Sequence, residues 1–293
     1  MRLLVIPALV LIAAGGAFEQ SPAASSEQER ISTWRKARFT ELTADDGWLT
    51  LVGLHWLHDG VNYAGSAAGT DLPLPRDAPA MLGTFTLVGG RVTFLASEGA
   101  TVTVDGKPFT NGELTLDKTV LASGSLRMLA IQRGPRIGLR VRDLANPARQ
   151  EFKGVETFPI DEAARVEARF EPFNPRKQVP IVNVLGDVID TPSPGRLIFK
   201  LHDAEYAVDA LIDDPAEPDL FVIFRDRTNG GSTYPAGRYL HVPLPVGGKT
   251  TIDFNQAYNP PCAFTVFATC PLPPKQNWLK TAVEAGEKNY RLH

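Results

Sequence analysis

Residues 84–96 read TFTLVGGRVTFLA, two runs of alternating apolar and polar residues joined by Gly89-Gly90. A period of two puts every second side chain on one face of a strand, and a glycine pair supplies the positive φ angles of a tight hairpin turn. The pattern recurs on the C-terminal side. Residues 101–104 lead into Asp105-Gly106, Asn111-Gly112 marks a third expected turn, and 126–132 and 137–143 flank Gly134-Pro135. Strand candidates this short and this closely spaced predict a small sandwich or barrel. Further strand candidates are 181–185, 196–202, 206–212 and 220–224, and Val246-Gly247-Gly248 separates 238–242 from 250–254. The 25 glycines and 24 prolines among 293 residues suit a turn-rich β protein and not a helical one.

The expected fold is mainly β: an N-terminal helix followed by two small β domains of sandwich or barrel type, or one continuous two-layer β architecture. Ser26 and Glu29 have capping-box spacing, and Ile31, Trp34, Ala37, Arg38 and Leu42 recur at helical intervals, which predicts an amphipathic helix over 27–43. Residues 47–66, GWLTLVGLHWLHDGVNYAGS, follow no single period, so 24–80 is taken as the helix plus a glycine- and aromatic-rich segment. A first β domain is expected at 81–170 and a second at 180–293. The boundary is placed in 171–180, EPFNPRKQVP, where three prolines interrupt any periodicity.

The N-terminus has the order of an export signal. Met1-Arg2 is a short positive region, Leu3 to Ala14 is apolar, and Gly15-Gly16-Ala17 or Ser21-Pro22-Ala23 offers the small residues of a cleavage site. The apolar run is shorter than the ~20 residues that span a bilayer, and no later stretch is long enough. The expectation is a signal peptide over 1–23, an exported periplasmic or secreted protein, and no membrane span once it is removed. A net charge of −3 and the absence of Lys/Arg runs exclude a polyanion groove, so no nucleic acid partner is expected.

Two stretches carry more polar chemistry than a fold needs. Residues 253–274, DFNQAYNPPCAFTVFATCPLPP, hold five prolines and both cysteines of the chain. A rigid loop of this kind is a suitable mounting for a site. Cys262 and Cys270, close together in an exported chain, read as a disulfide, with reduced structural thiols, or a redox or metal-binding pair, as the alternatives. The second stretch, 225–239, follows an apolar strand candidate and carries Arg225, Asp226, Arg227, Thr228, Tyr234, Arg238 and Tyr239 around Asn229-Gly230-Gly231. Guanidinium forks match carboxylate and phosphate oxygens, so this stretch suggests an anion contact; the competing reading is a solvated hairpin. If the two stretches form one site, Asp226, Tyr234 and Arg238 meet Asp253, Asn255 and Asn259, with Arg238 paired to Asp226 or Asp253.

Familiar catalytic motifs are missing. The chain has no G-x-S-x-G, S-x-x-K or H-E-x-x-H, and no glycine framework for a nucleotide phosphate. His55 and His58 beside Asp59 are weak metal candidates, while His202, His241 and His293 stand alone. No cofactor is implied.

Three blocks together resemble a known family. GWLTLVGLHWL at 47–57, the Asp226, Thr228, Thr-Tyr and Gly-Arg-Tyr-Leu pattern of 224–240, and DFNQAYNPPCAFT with FATCPLPP, Asn277 and Ala-Gly-Glu-Lys at 253–288 look like the bacterial and archaeal domain of unknown function 1684. The resemblance implies motif positions at His55, Asp226, Thr228, Thr233, Tyr234, Arg238, Asp253, Asn255, Tyr258, Asn259, Cys262, Cys270, Asn277, Glu287 and Lys288, and no activity. The functional expectation is a small polar or anionic ligand, or a glycan, bound by Arg225, Asp226, Thr228, Tyr234, Arg238, Asp253, Asn255, Tyr258, Asn259, Glu287 and Lys288. The alternatives are a hydrolase without a recognised nucleophile motif, and a structural or assembly factor.

Overall fold

A computed structural model describes residues 22–212 and 219–290. The expected signal segment lies outside the described residues, apart from Pro22 and Ala23, which begin the first helix. Among the described residues no helix is long and apolar enough to cross a membrane. The protein is mainly β, with an N-terminal helix, and its sheets do not close into a barrel.

Helix α1 (Pro22–Thr43) buries Ile31, Arg38 and Leu42. It stops against Gly47, where a Cβ would stand 2.4 Å from the Leu42 carbonyl oxygen, so only glycine lets the chain turn this tightly. Eleven strands follow: β1 (Leu51–Trp56), β2 (Gly60–Gly65), β3 (Leu72–Pro73), β4 (Gly83–Val88), β5 (Arg91–Ala96), β6 (Thr103–Val104), β7 (Lys107–Pro108), β8 (Asn111–Leu114), β9 (Val120–Ser123), β10 (Leu126–Arg133) and β11 (Arg136–Asp143). They form two sheets, ordered β1-β11-β10-β9-β6-β7 and β3-β2-β4-β5-β8. The core between them is built from the alternate residues the sequence pattern selects, among them Phe85, Phe94, Leu121, Met128 and Leu139. The hairpins at Gly89-Gly90, Asp105-Gly106 and Gly134-Pro135 form as expected.

Asn111-Gly112 does not turn. Both residues lie in β8 and pair with Leu95 and Phe94, and Gly112 is needed because the Phe109 ring occupies the place of its Cβ. The segment 47–66 belongs to these sheets: β1 pairs with β11 and β2 with β4.

The C-terminal sheet is β14-β13-β12-β17, made of β12 (Arg165–Val182), β13 (Val188–Leu201), β14 (Ala204–Ala210) and β17 (Lys249–Asp253). A pair, β15 (Asp219–Phe224) and β16 (Arg238–Pro243), packs on it around Leu197, Phe199, Phe224, Leu240 and Phe254. The stretch 171–180, expected as a boundary, runs inside β12 and pairs with β13. The register breaks between Pro172 and Lys177, where a bulge takes up Pro175, while Pro172 and Pro180 keep their places opposite Gly195 and Asp190. Two smaller clusters join the halves: Val179, Phe221, Ile223, Tyr239 and Cys270 with Trp48, and Leu42, Leu49, Phe152 and Phe264.

Candidate functional site

The two polar stretches fold mostly inward. At the end of β15, Asp226 turns back on its own loop: its Oδ1 accepts from the Thr228 backbone N–H at 2.8 Å and from the Thr228 hydroxyl at 2.5 Å. Asn229 accepts from the Asp226 N–H at 2.7 Å and donates to the Tyr234 carbonyl at 2.8 Å. Arg238 opens β16 directly opposite Phe224, and its guanidinium donates to Asp226 Oδ2 at 2.9 Å. The same guanidinium donates to the carbonyls of Val283, at 2.7 Å, and Ala285. Both charged side chains are fully buried. Burial pulls the Arg238 pKa down from its ordinary value, and the Asp226 carboxylate opposes that. The expected Arg238–Asp226 pair therefore exists, as a tie between the β15–β16 loop and residues 283–285.

Asp253 and its neighbours form another knot. Asp253 Oδ1 accepts from the Asn255 backbone and side-chain N–H groups, both at 3.0 Å, and Oδ2 accepts from Arg30 of α1. Asn255 exchanges two hydrogen bonds with the Asp161 backbone, at 2.9 and 2.8 Å. Asn259 donates from its backbone to Glu287 at 2.7 Å and from its side chain to the Lys288 carbonyl at 2.7 Å. Glu287 also takes Arg38 Nε at 3.4 Å, and burial pushes its carboxyl above the usual range while Arg38 draws it back. No hydrogen bond or ion pair among the described residues joins Asp226 or Arg238 to Asp253, Asn255 or Asn259. The stretches touch instead where the Tyr234 hydroxyl donates to the Cys262 carbonyl at 3.1 Å, where the Tyr239 hydroxyl donates to the Pro271 carbonyl at 2.8 Å, and where the backbones of Tyr239 and Tyr258 pair. Burial raises the Tyr234 phenol to about 12, so it stays a neutral donor. Arg225 stacks on Trp278, its guanidinium 5.0 Å from the ring centre, and Lys288 lies 3.9 Å from Glu156 on the surface.

The open chemistry lies elsewhere. A cavity of about 420 Å³ sits where α1, β10 and β11 meet β15, β16 and the 258–271 loop. Arg38, Arg133, Arg140 and Glu41 supply charge, with Arg38 paired to Glu41 and Arg133 to Asp117, each at 3.0 Å, and Trp48, Phe221, Tyr239, His241 and Tyr258 supply aromatic wall. Strand pairing puts Ile137, Leu139 and Val141 into the N-terminal core, so Arg136, Arg140 and Arg142 share the other face of β11. Arg136 pairs with Asp187, and Arg142 donates to the Gly47 carbonyl at 2.6 Å. Arg140 differs. It is 8 % exposed, its Nε has no partner, and no hydrogen bond or ion pair from the described residues reaches its guanidinium. Burial, reinforced by Arg133 and Arg142, pushes its pKa down to about 10.

Tyr258 is brought to the cavity by backbone pairing. Its N–H and carbonyl exchange hydrogen bonds with Tyr239 of β16, at 3.0 and 2.9 Å, which sets its ring beside His241. The Tyr258 hydroxyl is 2.9 Å from His241 Nε2, and His241 Nδ1 is 3.0 Å from Asp219 Oδ1. Arg38 lies over the Tyr258 ring at 4.5 Å from its centre. Of the expected ligand contacts, only Tyr258 lines this cavity. Cys270 lines it as well, and the Cys262 N–H donates to Cys270 Sγ at 3.0 Å. Both thiols are free, with Cys262 drawn below its ordinary pKa by the neighbouring sulfur and Cys270 pushed above it by burial.

His55 lies in β1 with its Nε2 buried and without a hydrogen-bond partner, and burial lowers its pKa. His58 is 3.8 Å from Asp71. Among the described residues no three His, Cys, Asp or Glu side chains converge as a metal site.

A family model described as "Protein of unknown function (DUF1684)" matches residues 150–288. An uncharacterised protein of Haloarcula marismortui is 34 % identical over 50 % of this chain and 82 % of its own, with a TM-score of 0.42. The chain belongs to the DUF1684 family. In this DUF1684 protein the match covers the C-terminal sheet and both polar stretches, whereas Arg133 and Arg140 come from residues before it. Two FHA-domain structures are also similar in part. One, from a study of phosphothreonine-dependent FHA interactions, is 18 % identical over 32 % of this chain and 96 % of its own. The other, the FhaA FHA domain, is 17 % identical over 30 % and 97 %. Their TM-scores are 0.23 in both cases, too low to carry an argument. No curated protein matches the chain in sequence.

Proposed function

We propose that this protein binds a small anionic ligand with a planar body in the cavity headed by Arg140. One observation carries the reading. A guanidinium that is buried, faces a cavity and has neither a hydrogen bond nor an ion pair, with only the Trp48 ring 5.4 Å from it and a weaker attraction to Asp117, is costly to keep, and an anion bound there would reduce the cost. Arg133, paired with Asp117 at 3.0 Å, stands at the same opening, and Trp48 and Tyr258 offer flat apolar faces for the rest of the ligand. The 225–238 stretch enters this reading as scaffold, and the 253–262 stretch contributes Tyr258 and Pro261. Export belongs to the same proposal, supported by the residue order of 1–23, with a Cys262–Cys270 bridge supported by the contact of Cys262 N–H with Cys270 Sγ.

Calorimetric titration with phenyl phosphate tests the binding. Saturable 1:1 binding is expected, weakened about 10- to 100-fold in Arg140→Met, the worth of one charge-assisted contact. Equal affinity in wild type and Arg140→Met would overturn the reading, as would binding of a neutral methyl glycoside in place of phenyl phosphate.

A further inference from the structure

The Asp219–His241–Tyr258 chain is more than wall. An ionised carboxylate only accepts hydrogen bonds, so His241 Nδ1 must carry the proton shared with Asp219 at 3.0 Å. In the neutral imidazole Nε2 is then the acceptor, and the Tyr258 hydroxyl, 2.9 Å away, is its donor. The phenolic proton thus points at a base whose other nitrogen is held by an acid. Loss of that proton to His241 leaves an imidazolium beside Asp219 and a phenolate beneath the Arg38 guanidinium, 4.5 Å from the ring centre. All three participants of the cavity end of this chain, His241, Tyr258 and Arg38, line the space that Arg140 enters. A nucleophile hydrogen-bonded to a base that is oriented by a third group is the arrangement that activates weak nucleophiles in covalent and general-base catalysis.

We propose that Tyr258 is a catalytic nucleophile or base, activated by His241 and Asp219, acting on anionic substrates of the carboxylate or phosphate class. The substrate class rests on the binding reading above; the activation of Tyr258 does not. Asp219 and His241 are positioning and proton-accepting residues in this scheme, and Tyr258 is the group that meets the substrate.

Arylsulfonyl fluorides report activated phenols directly. The Tyr258 oxygen attacks sulfur, an S–O bond forms and the S–F bond breaks, fluoride leaves, and the phenolic proton passes to His241. The full chain is treated with 4-(fluorosulfonyl)benzoate or with uncharged benzenesulfonyl fluoride, and modified tyrosines are mapped by peptide mass. Tyr63, half exposed on β2, is the internal reference. Tyr258 is expected to be modified well ahead of Tyr63, with its rate falling about 100-fold in His241→Gln. Glutamine there still accepts a hydrogen bond but cannot take the proton, and His241 is 43 % exposed, so the variant folds. Asp219→Asn should slow the reaction as well. Tyr258 modified no faster than Tyr63, or equally fast in His241→Gln, overturns the proposal whatever the anion result. Loss in Arg140→Met of the carboxylate probe's advantage over the uncharged one supports both readings. Equal rates for the two probes, with His241→Gln still slow, would leave the relay standing and remove the anion reading alone.

Discussion

Replacing Arg238 with methionine is expected to cost about 3–5 kcal/mol of stability, the typical result of stripping one partner from a buried ion pair. The Asp226 carboxylate would remain fully enclosed with its Oδ2 unpaired, and the Val283 and Ala285 carbonyls would lose their donor. Coulomb attraction in the low-dielectric interior, and not packing, is what the substitution removes, because methionine fills much of the same space against Phe224. Urea denaturation of the two proteins measures the difference. Adding Asp226→Asn to the variant should recover part of the loss, since the abandoned charge goes while its contacts to the Thr228 and Val283 N–H groups can be kept. A stability loss below about 1 kcal/mol would mean that the cluster is not the tie described here.

Arg140→Met is expected to move stability the other way. Arg140 has no hydrogen-bonded partner to abandon, only the Trp48 ring 5.4 Å from its guanidinium, so removing it relieves the desolvation of its charge and its repulsion from Arg133 and Arg142, against a smaller attraction to Asp117. The ligand-free variant should be more stable by about 1 kcal/mol or more, seen as a higher urea midpoint at unchanged slope. Sites that bind charge commonly trade stability for function in this way. A destabilised variant would show that Arg140 is held by the fold and not kept for a ligand. Two arginines, equally hidden from water in the sequence pattern, are thus separated by the sign of one measurement.

Much of the architecture was legible because hairpin chemistry is local. Gly89-Gly90, Asp105-Gly106 and Gly134-Pro135 each turn where backbone preference says they must. Asn111-Gly112 carries the same signal for a different reason: the glycine makes room for Phe109, a contact no dipeptide rule contains. At 171–180 prolines suggested a break, yet one long strand carries all three, Pro175 in a bulge and Pro172 and Pro180 in register with β13. The polar stretches were visible as concentrations of charge, yet concentration does not tell inward from outward. Arg238 and Asp253 found partners in 283–285 and α1, far along the chain. Tyr258 was named, whereas Arg140 was not. Its place beside Leu139 and Val141 resembles that of Arg136 and Arg142, and only the folded chain reveals that it alone of the three makes no hydrogen bond or ion pair. His241 stood isolated in sequence and acquires its meaning from Asp219, 22 residues before it, and Tyr258, 17 after it.

The location of a bound anion tests the whole account most directly. A crystal structure of the full chain with phenyl phosphate should place the phosphate oxygens within hydrogen-bond distance of the Arg140 guanidinium and the ring against Trp48 or Tyr258. Phosphate seated on Arg225 beside Trp278, or displacing Asp226 from Arg238, with the Arg140 cavity holding none, would contradict it.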